Sequence, residues 1–168
     1  MSSILAHHFS RLHFATLLLA LLAGCSDPLG NFKSGLVLDP CNGNYPVCNT
    51  VVGCTLTNSS YVQGQFPGSG KFMVQLSGPS TVELHFFLQD PSAAGSQLFI
   101  TWFESGCTTE FQTLVPGNVF IGEAQQNDGE FVRTQELSAQ GDHLIEFQAD
   151  ATAQYVAKIV IIPKSTGP

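Results

Sequence analysis

After residue 54, apolar and polar residues alternate along most of the chain with the period of a β-strand, in which successive side chains point to opposite faces. Residues 81–89 show it most clearly. Val82, Leu84, Phe86 and Leu88 fall on one face, and Glu83, His85, Phe87 and Gln89 on the other. Residues 71–77 set Phe72, Val74 and Leu76 against Met73 and Gln75, and residues 143–149 set Ile145 and Phe147 against Leu144, Glu146 and Gln148. Residues 155–162 set Tyr155, Ala157, Ile159 and Ile161 against Val156, Val160 and Ile162. Shorter runs at 61–66, 111–115, 119–121 and 131–137 complete the set. Residues 97–104 differ: Leu98, Phe99, Ile100, Trp102 and Phe103 make the run almost wholly apolar, which predicts a strand covered on both faces.

Between the runs stand turn-forming clusters: Pro67-Gly68, Gly78-Pro79, Asp90-Pro91, Gly95-Ser96 and Asn127-Asp128-Gly129. Pro116-Gly117-Asn118 predicts a hairpin-like turn between residues 111–115 and 119–121. About nine short strands, and no convincing amphipathic helix beyond the N-terminal segment, predict an all-β domain. The expected architecture is an antiparallel β-sandwich of jelly-roll or immunoglobulin-like type, with an up-and-down barrel second.

The N-terminal segment has a different pattern. Arg11, with His7, His8 and His13, supplies a positive start, and an apolar run over residues 12–22 contains Leu17, Leu18, Leu19, Leu21 and Leu22. Small residues Ala23 and Gly24 follow, as in a secretory signal. The run is too short for a bilayer core of about 30 Å, which takes roughly 20 apolar residues to cross. Leu22-Ala23-Gly24-Cys25 resembles a bacterial lipobox. That resemblance implies cleavage after Gly24, a diacylglycerol on the Cys25 sulfur and acylation of the new amino group. Ser26 at the next position resembles the outer-membrane class of such proteins rather than the class retained at the inner membrane. The expected organisation is a signal peptide over 1–24, a lipidated tether over 25–33 (Pro, Gly, Asn and Ser with little periodicity) and a β-domain over 34–168.

Of the five cysteines, four remain once Cys25 is assigned to lipid: Cys41, Cys48, Cys54 and Cys107. An even number in an exported domain implies two disulfides, with three pairings open. Cys54 and Cys107 both flank expected strands, which favours a Cys54–Cys107 bridge beside a small Cys41–Cys48 loop. The spacing lacks the C-x2-C pattern of a zinc site.

Cleavage would remove Arg11 and leave 5 Lys/Arg against 13 Asp/Glu, a net charge near −8. That excludes nucleic acid as a partner, because phosphate binding needs clustered cations. It also excludes a polybasic membrane-surface role.

Catalytic signals are absent from the motifs: the chain contains no G-x-S-x-G, H-E-x-x-H or phosphate-binding glycine loop. His85 and His143 are the nearest candidates for a hydrolase, and both read more simply as surface or turn residues. Glu123, Asp128 and Glu130, and again Asp142, Glu146 and Asp150, supply carboxylates suited to calcium, yet Asn127-Asp128-Gly129 is more simply a turn. No metal or other cofactor is expected. The 13 Phe, one Trp and three Tyr exceed what one sandwich face must hide, so Tyr45, Tyr61, Phe87 and Phe103 are candidates for outward contact with a partner.

As an ensemble, Asp39-Pro40-Cys41, Tyr45-Pro46-Val47-Cys48, Gly53-Cys54, Tyr61-Val62, Gly64, Phe66-Pro67-Gly68, Trp102 and Gly106-Cys107 are similar to small lipoproteins of myxobacterial-type envelopes. Some lipoproteins of that kind serve gliding and adhesion assemblies. The resemblance implies a non-enzymatic, lipid-anchored outer-membrane protein, a subunit or accessory factor of an envelope complex with other envelope proteins as partners. A carbohydrate-binding module for cell-wall or surface polysaccharide is the alternative.

Overall fold

A computed structural model of the chain describes residues 28–33, 55–92 and 97–165. The signal segment, Cys25, Cys41, Tyr45, Cys48 and Cys54 lie outside them. In chain order the elements are a short helix α1 (Pro28–Lys33), β1 (Thr55–Leu56), β2 (Tyr61–Leu76), β3 (Ser80–Ser92), β4 (Gln97–Phe103), a 3-10 turn (Ser105–Cys107), β5 (Glu110–Pro116), α2 (Gly117–Gln126), β6 (Glu130–Leu137) and β7 (Gly141–Pro163).

The seven strands form one curled, mixed sheet: β1 runs parallel to β2, and every other pairing is antiparallel. β7 is its spine. β2 follows one edge of β7 from Gly141 to Lys158; on the other edge β4 pairs at Ile145–Ala149 and β3 from Thr152 to Pro163. β5 extends the sheet beyond β4, and β6 extends it beyond β3.

The sheet folds back on itself. Phe86 of β3 pairs with Ala157, ten residues beyond Phe147 on β7. A straight strand rises about 3.3 Å per residue, so those positions would stand roughly 33 Å apart. The rings of Phe86 and Phe147 are instead 4.9 Å apart, edge to face. Between them the inner face of β7 carries Ala149, Ala151 and Ala153, whose small side chains leave room for the bend. The register slips at the same level: Phe66 pairs with Ala153 and Gly68 with Ala149, so β7 carries two more residues than β2 there. On the other edge, Asp90 takes a left-handed conformation (φ 49°) inside the irregularity between Gln89 and Ser92.

The result is two leaves around one core. The first holds β5, β4, the N-terminal half of β7 and the C-terminal half of β2. The second holds β6, β3, the C-terminal half of β7 and the N-terminal half of β2. Phe66, Phe86, Phe147 and Tyr155 meet between them with ring centroids 4.5–6.2 Å apart. Trp102 is fully buried and donates its indole N–H to Thr113 Oγ1 at 3.3 Å. Gly70 has no room for a Cβ, which would run into the Phe147 ring.

The inward and outward faces of β3, β7 and the second half of β2 follow the expected alternation. The strand count does not: residues 61–66 and 71–77 are one strand, β2, and residues 143–149 and 155–162 are one strand, β7. Among the described residues there are seven strands rather than nine. Pro67 and the alanines mark bends in continuous strands, not their ends. The sheet is also mixed rather than wholly antiparallel, because β1 pairs in parallel with β2.

The expected hairpin after residue 115 is replaced by α2. Phe120, Ile121 and Ala124, with helical spacing, bury against the core, and Phe120 packs on Phe131 at 4.8 Å. Pro116 takes an extended conformation just before the first helical residue, so it opens a helix rather than a turn. Asn127 N–H returns to the Glu123 and Ala124 carbonyls, and left-handed Asp128 and Gly129 lead into β6. Residues 28–33 form α1 where no helix was expected. β4 is not covered on both faces: Leu98, Ile100 and Trp102 are buried, while Phe99 is 38% exposed. Cys107 is disulfide-bonded. The other four cysteines, and with them the pairing, lie outside the described residues.

Candidate carbohydrate-contact face

The outer face of the first leaf carries a groove of about 400 Å³. Register places the side chains of this face in two rows across four strands. Ser69, Gln148, Phe99 and Leu114 make one row; Lys71, Glu146, Thr101 and Gln112 make the next. Strands about 4.8 Å apart give each row a span of roughly 14 Å. Phe99 and Leu114, 38% and 54% exposed, are the apolar part. The remainder is hydroxyl, amide and one ion pair, Lys71 Nζ to Glu146 Oε1 at 3.6 Å, with both side chains partly exposed.

These groups stand close together because strand alternation sends each of them outward while Ile100, Ile145, Phe147 and Phe72 point to the core. Chemically the face offers a flat aromatic edge, amides that both donate and accept, hydroxyls, and a carboxylate held by a cation. Three further carboxylates share this outer face: Asp142 and Asp150 on β7, and Glu110, paired with Phe103.

Of the aromatics expected to face outward, Tyr61 and Phe87 do stand on the outer face, but of the second leaf, and they are buried there. α1 covers them: the Phe32 ring lies 5.7 Å from Phe87, Lys158 Nζ sits 4.1 Å over Phe32, and Val156 completes the cluster. Phe103 is half-buried on the first leaf, one row from the groove. Tyr45 lies outside the described residues. A second groove, of about 320 Å³, runs beside Leu29 of α1 and is lined by Gln63, Gln89 and Gln154.

The two histidines occupy different settings. His85 bridges two carboxylates, Nδ1 to Glu130 Oε1 at 2.7 Å and Nε2 to Glu83 Oε2 at 3.0 Å. His143 is fully buried, with its ring nitrogens against the carbonyl oxygens of Phe103 (3.1 Å) and Ala139 (2.9 Å), where substrate has no access. Beside it, Glu104 accepts from Ser138 N–H and Oγ–H, both at 2.8 Å, and from Ala139 N–H at 3.2 Å. Burial opposes ionisation of Glu104, but those hydrogen bonds and the His143 ring outweigh it and hold the carboxyl below its usual range.

Of the carboxylates considered for calcium, Glu123, Glu130 and Glu146 are paired with side chains. Glu123 takes a two-pronged hydrogen bond from Arg133 at 2.8 and 3.1 Å, which lowers its pKa, and Glu130 faces His85. Among the described residues no group of three His, Cys, Asp or Glu is placed to hold a metal ion.

Phe99 was hidden in the sequence by its apolar neighbours. The available signal was Gln97 and Thr101 on either side of it at period two, which marks that face as partly wet. Lys71, Gln112 and Gln148 carry no motif and come together only through register.

No family model and no curated protein matches the chain. Chains of solved structures do match it, two of them as follows. One is a family GH115 4-O-methyl-α-glucuronidase with specificity for decorated arabinogalactans, at 8% identity and TM-score 0.39 over 64% of this chain. The chain spans 15% of that enzyme's length. The other is a carbohydrate-binding module from Cellvibrio mixtus lichenase 5A in complex with cellotriose, at 16% identity and TM-score 0.31 over 61% of this chain and 71% of the module. At these values neither likeness carries an argument about this chain's fold or function.

Proposed function

We propose that this chain is a lipid-anchored envelope protein whose β-domain binds carbohydrate and performs no catalysis. The groove across β2, β7, β4 and β5 carries this reading. It combines one exposed aromatic ring with amides, hydroxyls and a held carboxylate on a rigid sheet, the groups that recognise the C–H faces and hydroxyls of a sugar. The two leaves closing over one core support a β-sandwich of the jelly-roll or immunoglobulin-like kind.

The groove's composition supports carbohydrate over a subunit role in an envelope complex. A contiguous exposed apolar patch would mark a protein-docking face. Among the described residues the large exposed apolar ones are Phe99, Leu114, Val119 and Ile162, and just the first two are neighbours. The setting remains the one the lipobox implies: Cys25 acylated, and the domain held at the outer membrane.

The test is retention of the full-length chain, in detergent, on immobilised cell-wall and surface polysaccharides. Phe99→Ala is expected to abolish retention, and Val119→Ala, on the exposed side of α2, to leave it unchanged. Flat results across the whole panel with the unaltered chain would remove this function.

A further inference from the structure

We infer that the groove on the first leaf selects uncharged polysaccharide and rejects glycans bearing uronate, phosphate or sulfate; this rests on the carbohydrate reading above. The observation is the charge layout of that face. Its one cation among the described residues, Lys71, lies at the β2 end of its row, and its ammonium is 3.6 Å from Glu146 on the neighbouring strand. Lys71 therefore reaches a ligand already neutralised. An acidic sugar would have to compete with Glu146 for it.

The margins carry more negative charge. Asp142 and Asp150 share the outer face of β7 with Glu146, and Glu110 stands beyond Phe103 at the β5 edge. Among the described residues, four carboxylates and one ammonium face outward on this leaf, in a chain whose net charge is −7. A polyanion laid over the groove meets the β7 carboxylates on either side of the rows and no surplus cation within them.

The groups that remain for recognition are neutral. Gln148 and Gln112 each offer two donors and an acceptor, Ser69 and Thr101 offer hydroxyls, and Phe99 offers an apolar ring. Within this set Glu146 is the strong acceptor. A carboxylate takes hydrogen bonds from two neighbouring hydroxyls, and charge-assisted bonds of this kind are about twice as strong as neutral ones. Lys71 is the positioning residue that fixes Glu146. Binding built this way has little net charge to screen, so it is insensitive to salt.

The test compares hexasaccharides on the full-length chain in detergent by titration calorimetry. The neutral probes are β-1,4-glucan, β-1,3-glucan, β-1,4-xylan and β-1,4-mannan hexamers; the acidic ones are hexamers of galacturonate and mannuronate. At least one neutral hexamer is expected to bind with an affinity that is the same at about 50 mM and about 500 mM salt, while the uronates bind about tenfold more weakly or not at all. Glu146→Gln is expected to weaken the neutral ligand about tenfold and, by removing the carboxylate that competes with an acidic sugar for Lys71, to strengthen the uronates, with an unchanged thermal midpoint. A uronate hexamer bound more tightly than every neutral one, and lost in Phe99→Ala, would overturn the selectivity while leaving carbohydrate binding in place. No binding by any hexamer would overturn both.

Discussion

The rings of Phe86 and Phe147 meet edge to face at 4.9 Å, although the β7 positions they mark, Ala157 and Phe147, are ten residues apart in one strand. A single contact thus records that one sheet supplies both walls of its own core. It also locates where the fold tolerates no extra volume. Gly70 lies against Phe147, and a methyl group there would push the ring off its partners.

Gly70→Ala is therefore expected to destabilise the domain by about 1–3 kcal/mol, the usual cost of overpacking a filled core. Gly122→Ala is the matched control. It lies within α2, an added Cβ meets nothing, and relief of glycine's backbone entropy is expected to raise stability by up to about 1 kcal/mol. Denaturant titrations of the two variants should move their midpoints in opposite directions. A shared direction would show that the bend is not where packing is tightest.

α2 closes the open side of the two leaves through Phe120, which is fully buried and touches Phe66, Phe86 and Phe131. Phe120→Ala is expected to cost about 3–5 kcal/mol, because a rigid aromatic surround leaves most of the cavity unfilled. Arg133→Ala removes the link to Glu123 at a half-exposed site and is expected to cost under about 1 kcal/mol. Thermal melts of both variants check the order; equal losses would mean that the helix is held by its ion pair as much as by its ring.

How much of this was readable beforehand depends on the range over which the forces act. Alternation in β3 and β7 assigned the inner and outer faces correctly, since period two is a local property. The joining of residues 143–149 and 155–162 into one strand was not readable: Ala149, Ala151 and Ala153 look like weak strand formers until Phe86 and Phe147 pack over them. α2 was missed because Pro116-Gly117-Asn118 carries turn chemistry, and the helical spacing of Phe120, Ile121 and Ala124 is too short to outweigh it. The burial of Tyr61 and Phe87 depends on Phe32, which precedes even Tyr61 by nearly thirty residues, in a stretch whose composition suggested a tether. Phe99 was legible as apolar but not as exposed, because exposure follows from which strands cover β4 and not from β4 itself.

Glu104 makes stability depend on acid. Its carboxyl is held below the usual range in the folded chain, so the folded state favours the ionised form more than the unfolded chain does. The sign follows directly: the stabilisation is complete above the ordinary glutamate value of about 4.3 and is lost as pH falls through the lower folded value. Glu104→Ala leaves the N–H groups of Ser138 and Ala139 without their acceptor and is expected to cost about 2–3 kcal/mol at neutral pH. Its stability should also fall less steeply with acid than that of the unaltered chain. Equal slopes between pH 5 and pH 3, roughly the span over which a glutamate titrates, would show that Glu104 is not the group responsible.

Anchoring and binding are expected to separate cleanly. In the proposed arrangement Cys25 carries acyl chains, each buried methylene contributing about 0.8 kcal/mol of membrane affinity, so two or three chains hold the protein at the bilayer. None of that energy passes through the β-domain, whose main core and groove are built from residues 56–161. Cys25→Ser should therefore move the protein from the membrane fraction to the soluble one while its melting temperature and its retention on polysaccharide stay as they were. A variant that remains with membranes would sink the anchor at Cys25; one that leaves them but no longer binds glycan would show that the groove depends on the lipid surface, contrary to a site completed by four strands.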